Sequence, residues 1–167
     1  MANTTPTTNS LENYFLPFTA NKDFKKEPRL LDRGEGVYYW NHKGDQVIDA
    51  SSGLFCVPLG HGRKEIAEAV HQQLLKLDYS PSFQVSHLPA FSLAEKVAKL
   101  LPGDLNNVFF TICGSTAIDS AIKIIQAYQH AIGQSQRVRF VSRERAYHGV
   151  NIGGTSLSGM IKNREIF

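Results

Sequence analysis

The sequence predicts an α/β protein built on a parallel sheet, and three observations carry that prediction. Helical and strand-like patterns alternate along the chain, the order that leads parallel strands through crossover helices. The apolar run Val108-Phe109-Phe110 leads into Cys113-Gly114-Ser115-Thr116, and helical spacing begins at once. The composition, 42% hydrophobic and 20% charged over 167 residues, is that of a globular chain long enough to bury a core. No internal repeat is visible. Only two segments after residue 100 read as central strands, fewer than a parallel sheet covered on both faces normally contains.

The elements follow in order. Residues 1–10 are rich in Thr and Asn and read as a disordered tail. "LENYFLPFTANKDF" is aromatic without period and reads as an arm or loop that packs on something else. "GVYYW" and "QVIDA" flank "NHKGD", two β-rich runs around an Asn/Gly/Asp turn, so a hairpin is expected. "SSGLFCVPLGHG" has neither period and reads as a loop, with His61 a structural turn residue rather than a catalytic one. Arg63 to Leu77 carries Ile66, Ala69, Val70, Leu74 and Leu77 at helical spacing. "DYSPSFQVSHLP" interrupts, and Phe91 to Leu101 gives a second helix closed by Pro102-Gly103. After the strand at 107–111, a helix from about Ser115 to Ile132 is expected to bury Ala117, Ile118, Ala121, Ile122, Ile125 and Tyr128. Val138 to Val141 reads as a strand, and "RERAYHGVNIGGTSLSG" as a glycine- and serine-rich loop.

Several function classes drop out. The net charge of +3 is small and the Lys and Arg residues are scattered, so no basic, aromatic-interleaved stripe marks a nucleic-acid surface. Cys56 and Cys113 have no metal-ligand spacing and form no disulfide framework, as a reducing cytoplasm would have it. The first residues have neither a basic region nor an apolar core of the kind found in a signal peptide. No apolar run approaches membrane-spanning length. A nucleotide-binding P-loop, a zinc H-E-x-x-H and a G-x-S-x-G elbow are all missing.

The turn at 113–116 carries the chemistry. A helix start offers unpaired N–H groups and the positive end of the macrodipole. Gly114 allows close backbone approach and Ser115 adds a hydroxyl donor, so the turn can hold a phosphate or another small anion. A plain helix cap is the alternative for the same residues.

At these residues the chain resembles the class III, pyridoxal-phosphate-dependent aminotransferases of fold type I, and most of all the β-alanine–pyruvate or omega-amino acid–pyruvate transaminases. The likeness runs from about Leu11 to the last residue, on six ordered motifs: "LPFTANKDF", "DASSGLFCVPLGHGRKEI", "LDYSPSFQ", "LAEKVAKLLPGDLN-VFFT", "GS-A-D-AIK" and "YHGVNIGGTSLSG". It implies an N-terminal arm and small-domain hairpin over 11–60 and the first part of the cofactor-binding large domain over 61–167. It also implies pyridoxal phosphate as cofactor, an amino donor with a pyruvate-type acceptor, and a homodimer with shared sites.

Residue by residue, the resemblance assigns Gly114 and Ser115 to the cofactor phosphate. It places Tyr147 against the pyridine ring, with His148 and Gly149 completing that motif. Leu54 and Phe55 take pocket-wall positions, where relatives carry Trp in place of Phe55, and Phe83 takes a pocket position supplied across the dimer interface. Two departures stand out. The usual Ser-Gly-Ser-Glu reads Cys113-Gly114-Ser115-Thr116, and Ala146 occupies a common Gly position, where a positive φ would strain it.

The resemblance places the Schiff-base lysine and the pyridinium-pairing Asp in segments after residue 167. Lys123 sits roughly 12 Å along the helix axis from Ser115 and Lys162 lies in the last loop, so neither substitutes. The isolated chain is therefore expected to be inactive. The alternative is a non-catalytic truncated or frame-shifted remnant that acts at most as an association partner.

Overall fold

The computed structural model describes residues 11–167; the expected tail, residues 1–10, lies outside them. The chain divides into two compact units, one running to Val85 and one spanning Ser86–Phe167.

The first unit contains α1 (Asn21–Lys26), a three-stranded sheet, a four-residue turn of helix α2 (Ser52–Phe55), and α3 (Lys64–Lys76). The sheet is an antiparallel meander, β1 (Leu31–Glu35), β2 (Tyr38–Asn41) and β3 (Gln46–Ile48), in the order β1-β2-β3. The expected hairpin is β2–β3, with Tyr38 opposite Ile48 and Trp40 opposite Gln46. Its turn is set by Asn41, whose Oδ1 accepts from the N–H groups of Lys43 and Asp45, each at 2.9 Å. Gly44 supplies the left-handed residue at φ 90°. β1 escapes the sequence pattern because "LDRGE" lacks β-rich alternation. It is held instead by its ladder to β2 and by the Arg33 guanidinium, which stacks 3.6 Å from the Trp40 ring.

The second unit contains α4 (Leu88–Ala98), α5 (Gly114–Ala131), α6 (Ile152–Leu157) and α7 (Ile161–Arg164). α4 starts three residues before the expected Phe91, because Pro89 falls in the first turn, where proline costs no hydrogen bond. α5 begins one residue before the expected Ser115 and ends at Ala131, with Gly133 at φ 75° just past the C-cap Ile132. The expected glycine-rich loop after Tyr147 contains α6 and α7 instead. Glycine disfavours a helix, but here its missing side chain lets α6 lie against α5. A Cβ on Gly153 would come 2.7 Å from Asp119 Oδ1, and one on Gly154 would overlap the His148 carbonyl oxygen.

Two expectations are not met among the described residues. Segments 107–111 and 138–141 form no strand and both ladders are antiparallel, so the parallel sheet is not assembled. A strand exists through its neighbours, and none of the described segments pairs with these two. The expected burial of one face of α5 also fails. Ile118 and Ile122 are half-buried, whereas Ala117, Ala121, Ile125 and Tyr128 are exposed. No described apolar side chain is fully buried, and the stripe Ile66, Val70 and Leu74 on α3 is likewise uncovered.

The close approach of α6 to the backbone at His148 gives a stability prediction. Gly154→Ala should cost about 1–3 kcal/mol through overpacking, read as a lowered urea midpoint. Gly114→Ala, whose Cβ would meet nothing within 4 Å, should show no packing loss.

Candidate functional site

The site in the second unit is the start of α5 and the loop that folds back on it. Cys113, extended at φ −164° and ψ 167°, is the N-cap. The N–H groups of Gly114, Ser115 and Thr116 find no carbonyl acceptor among the described residues, as the first turn of a helix requires. Cys113 Sγ lies 3.4 Å from Thr116 Oγ1. Thr116 stands at the third helical position, where a Glu would reach back to the cap. The pairing of cysteine with threonine is thus a short substitute for that carboxylate. The Thr116 hydroxyl and then the Thr116 N–H hold the Cys113 thiol below its ordinary range; burial opposes them, and Ser115 adds a smaller lowering.

Ser115 ties the turn to the loop. Its Oγ accepts from the Val150 N–H at 3.0 Å, which leaves the hydroxyl proton free to donate outward. The loop passes close enough that residue 149 must be glycine. Gly149 has φ 102°, and a Cβ there would come 2.7 Å from both Ser115 Cα and Ser115 Oγ. One turn along α5, Asp119 Oδ1 accepts from the Gly154 N–H at 3.0 Å and fixes α6. Tyr147 and His148 precede Gly149 directly, so these contacts bring all four sequence-assigned residues of this unit to one end of α5. Tyr147 is exposed, and His148 Nε2 is buried with no hydrogen-bond partner among the described residues. The strain foreseen at Ala146 does not arise, because the left-handed residue is Arg145 at φ 59°. Ala146 instead anchors the loop through its carbonyl, which accepts from Gly159 N at 2.9 Å and from the buried Ser158 Oγ at 3.1 Å.

An anionic cofactor tail fits this cradle. Three helix-start N–H groups and one hydroxyl converge there, Gly114 faces open space, and a buried imidazole nitrogen beside the loop lacks a partner. Lys162 lies on α7 rather than in a loop.

The first unit holds Leu54, Phe55 and Phe83, all exposed. Sequence reading missed how the first two are presented. Ser52, Gly53, Leu54 and Phe55 have φ of 52°, 59°, 57° and 68°, so α2 is one turn of left-handed helix, closed by Phe55 N to Ser51 O at 2.9 Å. Each non-glycine residue in that region costs about 1–2 kcal/mol, and such turns persist only where neighbours hold them.

Asp49 holds this one. Its Oδ2 accepts from Gly53 N at 2.6 Å, and its Oδ1 from Ser51 N and Ser51 Oγ, both at 3.1 Å. His61 Nε2 completes the set at 2.7 Å to Oδ2, and the two side chains are only 5% and 12% exposed. His61 is fixed in turn by a two-bond bridge to Gly36, at 2.8 and 3.0 Å, and by its ring lying 4.2 Å from that of Tyr39. The His61 hydrogen bond pulls the Asp49 carboxyl below its ordinary range, burial opposes, and the N–H groups of Ser51 and Gly53 add to the lowering. Burial, then the Asp49 charge, pushes the Tyr39 phenol up. The sequence signals that could have located this cluster are the serines and glycine two to four residues after Asp49, the pattern of a side-chain-capped turn.

A pH prediction follows with a definite sign. A folded-state pKa below the unfolded one means that the carboxylate stabilises the turn fully above the ordinary aspartate range, and that this stability is lost as pH falls through the lowered value. A carboxyl carbon NMR titration should show Asp49 titrating below the ordinary aspartate range; a midpoint within that range would contradict the contact.

Comparison with known proteins fits this geometry. The family described as aminotransferase class-III matches residues 19–166. The chain is 49% identical over 158 residues to a β-alanine–pyruvate aminotransferase of Pseudomonas aeruginosa, covering 95% of this chain and 35% of the relative. It is 48% identical to an omega-amino acid–pyruvate aminotransferase of Pseudomonas putida, covering 94% and 35%. Among solved structures, an (S)-enantioselective omega-transaminase from Thermomicrobium roseum superposes with a TM-score of 0.90 at 36% identity. That match covers 95% of this chain and 36% of the other. An omega-transaminase from Pseudomonas jessenii, solved in complex with PMP, superposes with a TM-score of 0.90 at 31% identity, over 95% and 36%. The chain spans about a third of the length of the relatives it matches. No helix among the described residues is long and apolar enough to cross a membrane.

Proposed function

The chain belongs to the class III aminotransferases, and from that premise we propose that it forms the phosphate-binding part and a portion of the donor pocket of an omega-amino acid–pyruvate transaminase. The family depends on pyridoxal phosphate. When bound, that cofactor supplies the electron sink that lets an amino group leave the donor and pass to a keto acid.

The observation that carries the reading is the cradle at the start of α5. The N–H groups of Gly114, Ser115 and Thr116 bind the phosphate, and Ser115 Oγ–H donates to it while accepting from Val150 N. The same bond orients the loop that presents Tyr147 as a face for the pyridine ring. His148 supplies its buried, unpartnered Nε2 to a polar group near that ring. Leu54 and Phe55 wall the donor pocket. Phe83 serves the pocket of the other subunit in a homodimer, which its exposure supports. We place the reaction in the cytoplasm, where Cys56 and Cys113, both free, stay reduced. On this reading neither Lys123, on α5, nor Lys162, on α7, carries the cofactor, and these 167 residues by themselves transfer no amino group.

Two measurements test this. The full-length protein should convert β-alanine and pyruvate to alanine with pyridoxal phosphate, whereas the 167-residue chain alone should give none; turnover by the short chain would overturn the division of labour. A hydrogen bond to a charged group contributes about 1.5–3 kcal/mol. Ser115→Ala should therefore raise the cofactor Kd roughly ten- to a hundredfold, read by absorbance titration, and an unchanged Kd would remove Ser115 from the cradle.

A further inference from the structure

The Asp49–His61 pair has no role in the transamination reading, yet it is the least exposed carboxylate–nitrogen pair among the described residues, and it grips the backbone of α2. Asp49 takes four donors on two oxygens, from Ser51 N, Ser51 Oγ, Gly53 N and His61 Nε2. All of these lie at or directly beside the left-handed turn except His61, which belongs to the loop before α3 and is bridged to Gly36 at the β1–β2 connection. The room for this arrangement is made by glycines. A Cβ on Gly34 would come 3.0 Å from His61 Cβ and Cγ, and one on Gly53 would come 2.8 Å from Val57 Cγ2. The turn so held projects Leu54 and Phe55 outward at 74% and 83% exposure. A right-handed or extended backbone at Ser52–Phe55 would send these two side chains in other directions.

We propose that Asp49 and His61 are positioning residues for donor specificity: through the left-handed turn they set where Leu54 and Phe55 stand, and so the size of amine the pocket accepts. This rests on the reading of Leu54 and Phe55 as pocket wall. The pair acts on the wall and not on the reacting atoms, so its loss weakens donor binding and blurs the choice between donors without slowing the chemical step at saturation.

The test uses the full-length protein loaded with pyridoxal phosphate. Five variants are compared, Asp49→Asn, Asp49→Glu, His61→Gln, Leu54→Ala and Phe55→Ala, with β-alanine and a bulky arylalkylamine as donors. Asp49→Asn and His61→Gln should raise donor KM by roughly five- to tenfold with kcat within about twofold, and should shift the preference between the two donors. Asp49→Glu, which keeps the charge, should recover part of the loss. Amide exchange should quicken over residues 51–57 in the two disabling variants, with residues 114–131 unchanged. Leu54→Ala and Phe55→Ala should shift KM in the same way while exchange over 51–57 stays slow. If these two shift KM and the Asp49 and His61 variants do not, the positioning role is overturned and the pocket reading stands. If Leu54→Ala and Phe55→Ala leave both donors unaffected, the pocket reading fails and takes the proposal with it. Insoluble Asp49→Asn and His61→Gln beside soluble Leu54→Ala would make the pair a folding element and would also overturn it.

Discussion

The start of α5 has too many donors. Gly114, Ser115 and Thr116 present N–H groups that no carbonyl of the described chain accepts, and the helix dipole adds positive potential at the same point. Much of the second unit is arranged around that excess. Ser115 Oγ takes the Val150 N–H and Asp119 takes the Gly154 N–H, so the loop after Tyr147 is fastened to α5 at two places one turn apart. Gly149, Gly153 and Gly154 are glycines because the approach leaves no room for a Cβ. The helix start itself stays open, with Gly114 facing space. An anion there would satisfy donors that no backbone carbonyl of the described residues accepts.

The first unit solves the opposite problem. Here a strained backbone, four consecutive residues in the left-handed region, needs acceptors to hold it. One buried carboxylate provides them, and one imidazole holds the carboxylate. The chain joins these parts at short range, 12 residues from Asp49 to His61, so the cluster assembles within a single loop and its flanking strands. Where a catalytic reading of His61 was conceivable, the geometry gives it a partner and a structural task.

The exposed apolar surface belongs to the same account. The faces of α3 and α5 have the periodicity of core helices, yet Ile66, Val70, Leu74, Ile125 and Tyr128 are uncovered. Segments 107–111 and 138–141 have strand-like composition and no ladder. Hydrophobic burial and strand pairing are collective: a residue pattern specifies which face is apolar, but only neighbouring polypeptide makes it a core.

By itself the sequence determined what depends on near neighbours: the extents of α3 and α5, the Asn41–Asp45 hairpin turn, and the donor-rich turn at Gly114-Ser115. Each follows from periodicity, from a side chain that bonds its own backbone, or from the unpaired N–H groups at the start of a helical pattern. Its ordered motifs also identified the family. Tertiary structure alone decided the rest. It placed α6 in a run of glycines because α5 lies against them, it put Ser115 to use as an acceptor for Val150, and it wound Ser52–Phe55 left-handed against local preference. Those outcomes depend on contacts between residues 12 to 35 positions apart; at Ser52–Phe55 the short-range bonds from Asp49 are fixed in place by His61, and a window that holds the turn alone omits it.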